Sequence, residues 1–188
     1  AVSTKKYLDE YGSLFESPEP SLVRKFVLTA PGQVQFLVSK VKFTELVLQA
    51  IPAGTISRRI EEQQRLLNLL TAYSAEIKIS CRRKLEHLII EEVHNRDILI
   101  SLKDLDSEAA ASRLRTEQLY FFDQTEEPIV TRMKVVQGGG SFTYGFEYLG
   151  VPDKLAYTPL IDKCNLTMTQ ALAQKLGGAP FGPAGTGK

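Results

Sequence analysis

The residues best equipped for chemistry stand together at Gly182-Pro183-Ala184-Gly185-Thr186-Gly187-Lys188. They fit the phosphate-loop pattern G-x-x-x-x-G-K-[ST] in every position but the last hydroxyl. Gly182, Gly185 and Gly187 admit backbone angles and close approaches that a β-carbon would block. Their N–H groups can then converge as a nest for phosphate oxygens. Lys188 would set a cation against the β- and γ-phosphates, and a helix starting here would add the positive end of its dipole. The plain alternative is a Gly/Pro-rich tail, since Leu176 to Phe181 makes a poor strand by composition. Ala1-Val2-Ser3 lacks an initiator Met, which reads as an internal fragment or a processed start, and Lys188 stands where a hydroxyl should follow, which reads as an edge short of the full motif.

Other reactive side chains offer less. His87 and His94 lie seven positions apart on one predicted helix, whereas a helical metal pair needs three or four. They read as helix-surface residues. Glu86, Glu91 and Glu92 could be imagined as an acid/base cluster, but nothing in the pattern gives them a pocket, and a solvated face is expected. Cys164 has no histidine in its half of the chain and reads as a packed thiol. Cys81 and Cys164 show no C-x-x-C spacing and no signal peptide precedes them, so two reduced thiols are expected. Phe142, Tyr144, Phe146 and Tyr148 alternate at spacing two, which predicts one apolar face of a strand packed on a core.

The elements that must hold the loop are mostly helical. The 188 residues carry 43% hydrophobic and 24% charged side chains, enough for a real core. Lysine and arginine total 23 against 22 acidic residues, a net charge of +1 that gives no reason to expect nucleic acid or an anionic membrane as partner. Apolar runs are too short to span a bilayer. Helical spacing covers Lys5–Phe15, then, after the break Ser17-Pro18-Glu19-Pro20-Ser21, a helix beginning near Pro31 and ending at Pro52-Ala53-Gly54. Further helices are predicted over residues 56–79, 81–102 and 107–118. The period then becomes that of strands at Leu119–Asp123, Ile129–Val136 and Ser141–Leu149, with Gly138-Gly139-Gly140 as a flexible break. Leu155–Thr158 reads as a return strand, and Pro159–Leu176 as a loop followed by a helix from Leu166. The chain therefore divides at residue 138.

Three stretches add a resemblance. They are Tyr144-Gly-Phe-Glu-Tyr-Leu-Gly150; Thr158-Pro159-Leu160 with Asp162, Cys164 and Leu166-Thr-Met-Thr-Gln-Ala-Leu172; and Leu176 through Lys188. In this order they closely resemble the entry to the first AAA+ module of dynein heavy chains. Phe146, Met168 and Phe181 follow the cytoplasmic wording. Ile161-Asp162-Lys163-Cys164-Asn165 departs from the family's usual Thr-Asp-Arg-Cys-Tyr. The resemblance implies a mostly α chain: an antiparallel helical linker bundle over residues 1–137, then a short β-hairpin and the start of an α/β AAA+ P-loop module over 138–188. It implies ATP or ADP held by Gly182 to Lys188, and a loop near the adenine from Leu155 through Pro159 and Leu160. Mg²⁺ ligands, the general base and the arginine finger would lie beyond Lys188, so the isolated piece is expected to hydrolyse nothing. The implied partners are the rest of the AAA+ ring, microtubules through a stalk, and dynein intermediate and light chains. The implied setting is cytoplasmic and cytoskeletal, with the axoneme or cilium as the other location. Two further readings stay open: a non-catalytic helical docking element, and another P-loop NTPase with an unrelated helical N-terminal domain.

Overall fold

Apolar residues from Tyr7 to Leu114 recur every three or four positions, and the chain answers with six helices packed on one another. A computed structural model describes residues 2–16, 19–118, 120–123, 133–151 and 157–183. The helices are α1 Val2–Glu16, α2 Pro20–Thr29, α3 Gly32–Ala53, α4 Ile56–Ser74, α5 Ile79–Leu102 and α6 Ser107–Glu117. Strands β1 Tyr120–Asp123, β2 Met133–Gln137 and β3 Gly140–Thr143 follow, then α7 Pro159–Ala173. The described residues are thus mostly α with one small antiparallel sheet.

The helix ends follow local chemistry. Pro20 opens α2, where a missing N–H costs nothing. This separate helix is absent from the sequence expectation, which ran the Pro-rich break directly into α3. Its last carbonyls are met from elsewhere. The buried Gln35 amide donates to Val27 O at 3.1 Å and Ala30 O at 2.9 Å, and Lys84 Nζ to Leu28 O and Ala30 O at 3.1 and 3.2 Å. Gly54, at φ 66, closes α3 with its N–H on Ala50 O and Ile51 O. Asp106 caps α6 by accepting from Ala109 N at 2.8 Å.

Helix α3 is the axis of the bundle and packs against α1, α4, α5, α6 and β1. It serves two apolar clusters. One gathers Leu8, Tyr11, Leu14, Phe26, Val38, Leu66, Leu70, Leu85 and Leu88; the other gathers Phe43, Val47, Ile51, Ile98, Leu99, Leu102 and Leu114. Between them along α3 and α5 lie Ser39, Lys40, Glu91, Glu92 and Asn95, all buried.

The sheet runs β1-β2-β3, antiparallel throughout, with Val135 opposite both Phe121 and Phe142 and Gln137 opposite Gly140. Gly138 and Gly139 take φ 53 and 84, the two positive angles of a tight two-residue hairpin turn. The expected flexible break is therefore an ordered turn. The domain boundary expected at 138 falls in this same turn. The expected strand Ser141–Leu149 ends at Thr143, because Phe146 adopts φ 51, an angle no strand admits. Phe142 and Tyr144 are half-buried, but Phe146 is 40% and Tyr148 89% exposed, so the predicted four-residue core face stops halfway. Of the expected strand Ile129–Val136, residues 129–132 lie outside the described residues, as do 155 and 156 of the expected return strand.

Helix α7 begins seven residues earlier than the Leu166 start expected. Thr158 Oγ1 accepts from Ile161 N at 3.3 Å, Pro159 takes the first turn, and Asp162 adds acidic charge there. The helix lies on the hairpin. A β-carbon on Gly140 would come within 2.9 Å of Ala173 Cβ, so only glycine permits this approach. The C-terminal end is a paired cap: Lys175 sits at φ 59, its N–H reaches Leu172 O, and Leu176 N–H returns to Ala171 O at 2.9 Å.

Candidate functional site

Pro159 and Leu160 occupy the first turn of α7, with Leu160 65% exposed. From Leu176 to Pro183 the chain has no regular secondary structure. Gly178 lies against the Met168 side chain, Phe181 is fully exposed, Gly182 half-exposed and Pro183 exposed. Leu155 and the phosphate-loop residues Ala184, Gly185, Thr186, Gly187 and Lys188 lie outside the described residues. The described part of the site is therefore its mounting: the segment from Tyr144 to Val151, and α7, held on the helical body.

Two polar contacts make that mounting. The first is Gln33, one residue into α3. Its Nε2 donates to the Tyr144 hydroxyl at 2.8 Å and the Glu147 carbonyl at 2.6 Å, while its Oε1 accepts from Leu149 N at 3.1 Å. One side chain thus satisfies three groups of an irregular segment that makes no ladder of its own. Each such bond contributes about 1 kcal/mol net. Gln33→Ala is expected to lower the hydrogen-exchange protection of the Leu149 amide about tenfold, leaving amides of α4 and α5 unchanged.

The second contact joins α7 to the middle of the bundle. Tyr157 stacks on His94 of α5 with ring centroids 4.0 Å apart and planes 19° from parallel. The Lys40 ammonium lies 5.7 Å from the Tyr157 ring centre, and the Tyr157 hydroxyl faces Glu91 Oε2 at 3.5 Å. Asp162, in the first turn of α7, comes to 3.9 Å from His94 Nε2. Lys40 pairs directly with Glu91, both side chains almost wholly buried.

Glu91 and Glu92 are 0% exposed, which corrects the expectation of a solvated face; Glu86 does face solvent. The reason is local supply of donors. Glu92 Oε1 accepts from the Tyr11 and Ser39 hydroxyls, and its Oε2 from Gln63 Nε2 at 2.5 Å and Asn95 Nδ2 at 3.3 Å. These donors come from α1, α3, α4 and α5, so one carboxylate ties four helices. A buried charge is tolerated only when so surrounded. His94 is likewise no surface residue: its side chain is 11% exposed. His87 is half-buried with its ring edge on Phe36. Cys164, expected as a packed thiol, is exposed, because α7 fully buries none of its side chains.

Burial governs the titration of this region. It draws the Lys40 ammonium down to about 8, opposed by Glu92 and Asp162, so Lys40 is a cation at neutral pH, in keeping with its contact with Glu91. Burial first and Lys40 second push His94 down to about 3. Asp162, too far for a hydrogen bond, does not offset them, and the imidazole is neutral. Burial, then Asp162, raises Tyr157 to about 12. Burial raises Asp162 while Lys40 lowers it. Burial and Glu92 hold the Tyr11 phenol well above its ordinary value.

Clefts adjoin the stack, among them a small one of about 130 Å³ between His94, Tyr157, Ile89 and Val93 and two larger ones. One of about 310 Å³ is lined by Phe36, Lys40, Gln137 and Met168, and one of about 420 Å³ by Ser101, Arg113, Thr158 and Pro159; His94, Tyr157 and Asp162 line both. Among the described residues no group of three His, Cys, Asp or Glu side chains is placed to hold a metal, and no helix is long and apolar enough to cross a membrane.

Residues 144–188 match the family profile described as the hydrolytic ATP binding site of the dynein motor region. The chain is 37% identical over 186 residues to the cytoplasmic dynein heavy chain of Neurospora crassa, covering 96% of this chain and 4% of that one. It is 38% identical over 171 residues to the cytoplasmic dynein heavy chain of Dictyostelium discoideum, covering 84% and 4%. It is 35% identical over 172 residues to mouse dynein axonemal heavy chain 1, covering 90% and 4%. The chain thus spans about 4% of the length of these relatives.

Proposed function

Because the chain belongs to the dynein heavy chain family, we propose that it couples a nucleotide site to a helical lever in an ATP-driven microtubule motor. In this reading residues 1–137 are the C-terminal part of the linker and residues 138–188 begin the first AAA+ module. The observation that carries it is the family match over 144–188, which ends on Gly182-Pro183-Ala184-Gly185-Thr186-Gly187-Lys188. Those residues would bind the phosphates of ATP or ADP: the glycine N–H groups by direct hydrogen bonds, Lys188 by charge at the β- and γ-phosphates. Leu155, Pro159 and Leu160 would give the adenine an apolar wall that excludes water. Mg²⁺, when bound with the nucleotide, would neutralise phosphate charge as it does in other P-loop ATPases, and no residue of this chain is assigned to it.

The mounting described above gives this reading a physical route. The Gln33 clamp and the His94–Tyr157 stack attach both ends of residues 144–157 to the helical body, so displacement near the nucleotide is delivered to α3 and α5. The wider setting follows the family: the remaining AAA+ ring and microtubules as partners, intermediate and light chains in the assembled complex, and a cytoplasmic, cytoskeletal location.

The test is Lys188→Ala in the intact motor. Removing a charge aimed at the transferred phosphoryl group is expected to slow ATP turnover about 100-fold or more and to abolish ATP-driven microtubule gliding. Unchanged gliding would remove Lys188 from the site and the proposed function with it.

A further inference from the structure

We infer that His94 is a positioning residue: its ring, stacked on Tyr157, is the strut through which the loop leading to the nucleotide site and the helical body hold each other in place. The inference rests on the nucleotide reading above and adds the residue that transmits the motion.

Three observations carry it. The first is connectivity. Tyr157 is followed at once by Thr158, Pro159 and Leu160, the cap and first turn of α7, while His94 belongs to α5 in the centre of the bundle. The second is the thinness of the attachment. No side chain of α7 is fully buried, so the helix is not locked down by a shared apolar core. Among the described residues it meets the hairpin, through Gly138, Gly140, Leu166, Gln170 and Ala173, one side of α6, and the region around His94. The third is the empty space beside the rings. His94 and Tyr157 line both larger clefts, of about 310 and 420 Å³. With clefts beside it, the ring pair depends on its face-to-face contact more than a close-packed pair would, alongside the contact of the Tyr157 hydroxyl with Glu91. Asp162 beside His94 and Lys40 beside Tyr157 fix the direction of the pair. The neutral imidazole stacks without the cost of desolvating a charge.

A strut of this kind governs how faithfully movement at one end appears at the other, not the chemistry at the nucleotide. Its loss should separate turnover from movement. In the intact motor, His94→Leu keeps the apolar volume and removes the ring, and His94→Phe restores a ring. Gliding velocity and ATP turnover are measured on the same preparations at saturating ATP. His94→Leu is expected to keep turnover within about twofold and to lower velocity per ATP about fivefold, the loss of one ring pair. His94→Phe is expected to recover velocity per ATP to within about twofold of wild type. Unchanged velocity per ATP in His94→Leu overturns the inference. So does a parallel fall of turnover and velocity, which marks a merely structural residue, and so does failure of phenylalanine to rescue. Lys188→Ala run alongside separates the two claims: gliding that survives it defeats the nucleotide reading, whereas normal coupling in His94→Leu defeats only the strut.

Discussion

Glu92→Leu is expected to cost the helical body about 4 kcal/mol, a large share of the roughly 5–15 kcal/mol that holds an ordinary domain folded. The leucine would fit by volume, so the loss is not one of packing. It comes from the donors left behind. The Tyr11 and Ser39 hydroxyls both point at Glu92 Oε1 and would lose that acceptor inside the core. Gln63 keeps a bond to the Glu92 main-chain carbonyl at 3.1 Å, and Asn95 keeps Ser39 Oγ at 3.3 Å, so these two suffer less. Each orphaned buried donor costs about 1–3 kcal/mol. Glu92→Gln gives the control. Its carbonyl oxygen can still serve the two hydroxyls, but its N–H groups face the amide N–H groups of Gln63 and Asn95, and a flip of either to offer oxygen gives up its bond to the Glu92 carbonyl or to Ser39 Oγ. The expected cost is then about 1–2 kcal/mol. Urea unfolding followed by circular dichroism checks both. Equal loss in the two variants would mean that charge, not donor satisfaction, holds the hub.

This hub marks where the sequence could be read and where it was misread. Helices α1, α3, α4, α5 and α6 are legible because their apolar residues keep a helical period, and the strands on either side of the glycines because they are β-branched and aromatic runs, although the glycines themselves read as a flexible break. The phosphate-loop pattern and the family words from Tyr144 onward are legible as strings. What escaped was the polar interior. By residue type alone Glu91 and Glu92 belong to solvent. Yet Leu85, Leu88, Glu92, Asn95, Leu99 and Leu102 recur at alternating intervals of three and four, one continuous buried stripe of α5. Gln63, Leu66, Leu70 and Tyr73 repeat the pattern on α4. A polar residue at a core position of such a stripe is a signal for a buried partner, and two facing helices that carry it on neighbouring stripes predict a network. The early start of α7 was also readable: Thr158-Pro159 followed by Asp162 is a helix-opening string. The turn at Phe146 was not, since nothing in an alternating aromatic run announces a positive φ.

Lys40→Met is expected to destabilise the bundle by about 3–5 kcal/mol, and the double variant Lys40→Met with Glu91→Leu to recover most of that loss. The single change withdraws the ammonium that faces Glu91 in the interior and leaves a carboxyl group that water cannot reach. The double change removes both polar ends and replaces them with apolar ones of similar reach, which in other buried pairs is neutral or stabilising. Lysine at this position also leaves a signature in pH. Its folded-state value is about 8 against an ordinary 10.5, so between those two values the unfolded chain holds a proton that the folded chain has released. The state that binds more protons is favoured as pH falls, so wild-type stability gains as pH rises through this window relative to Lys40→Met. Below about pH 8 both states carry the charge, and the full cost of burying it is present. Unfolding curves of wild type and Lys40→Met at pH 7 and pH 10 should therefore draw apart as pH rises. If the two proteins kept a constant difference, the carboxylates around Lys40 would be offsetting its burial in full, and the ammonium would keep its ordinary value in the fold.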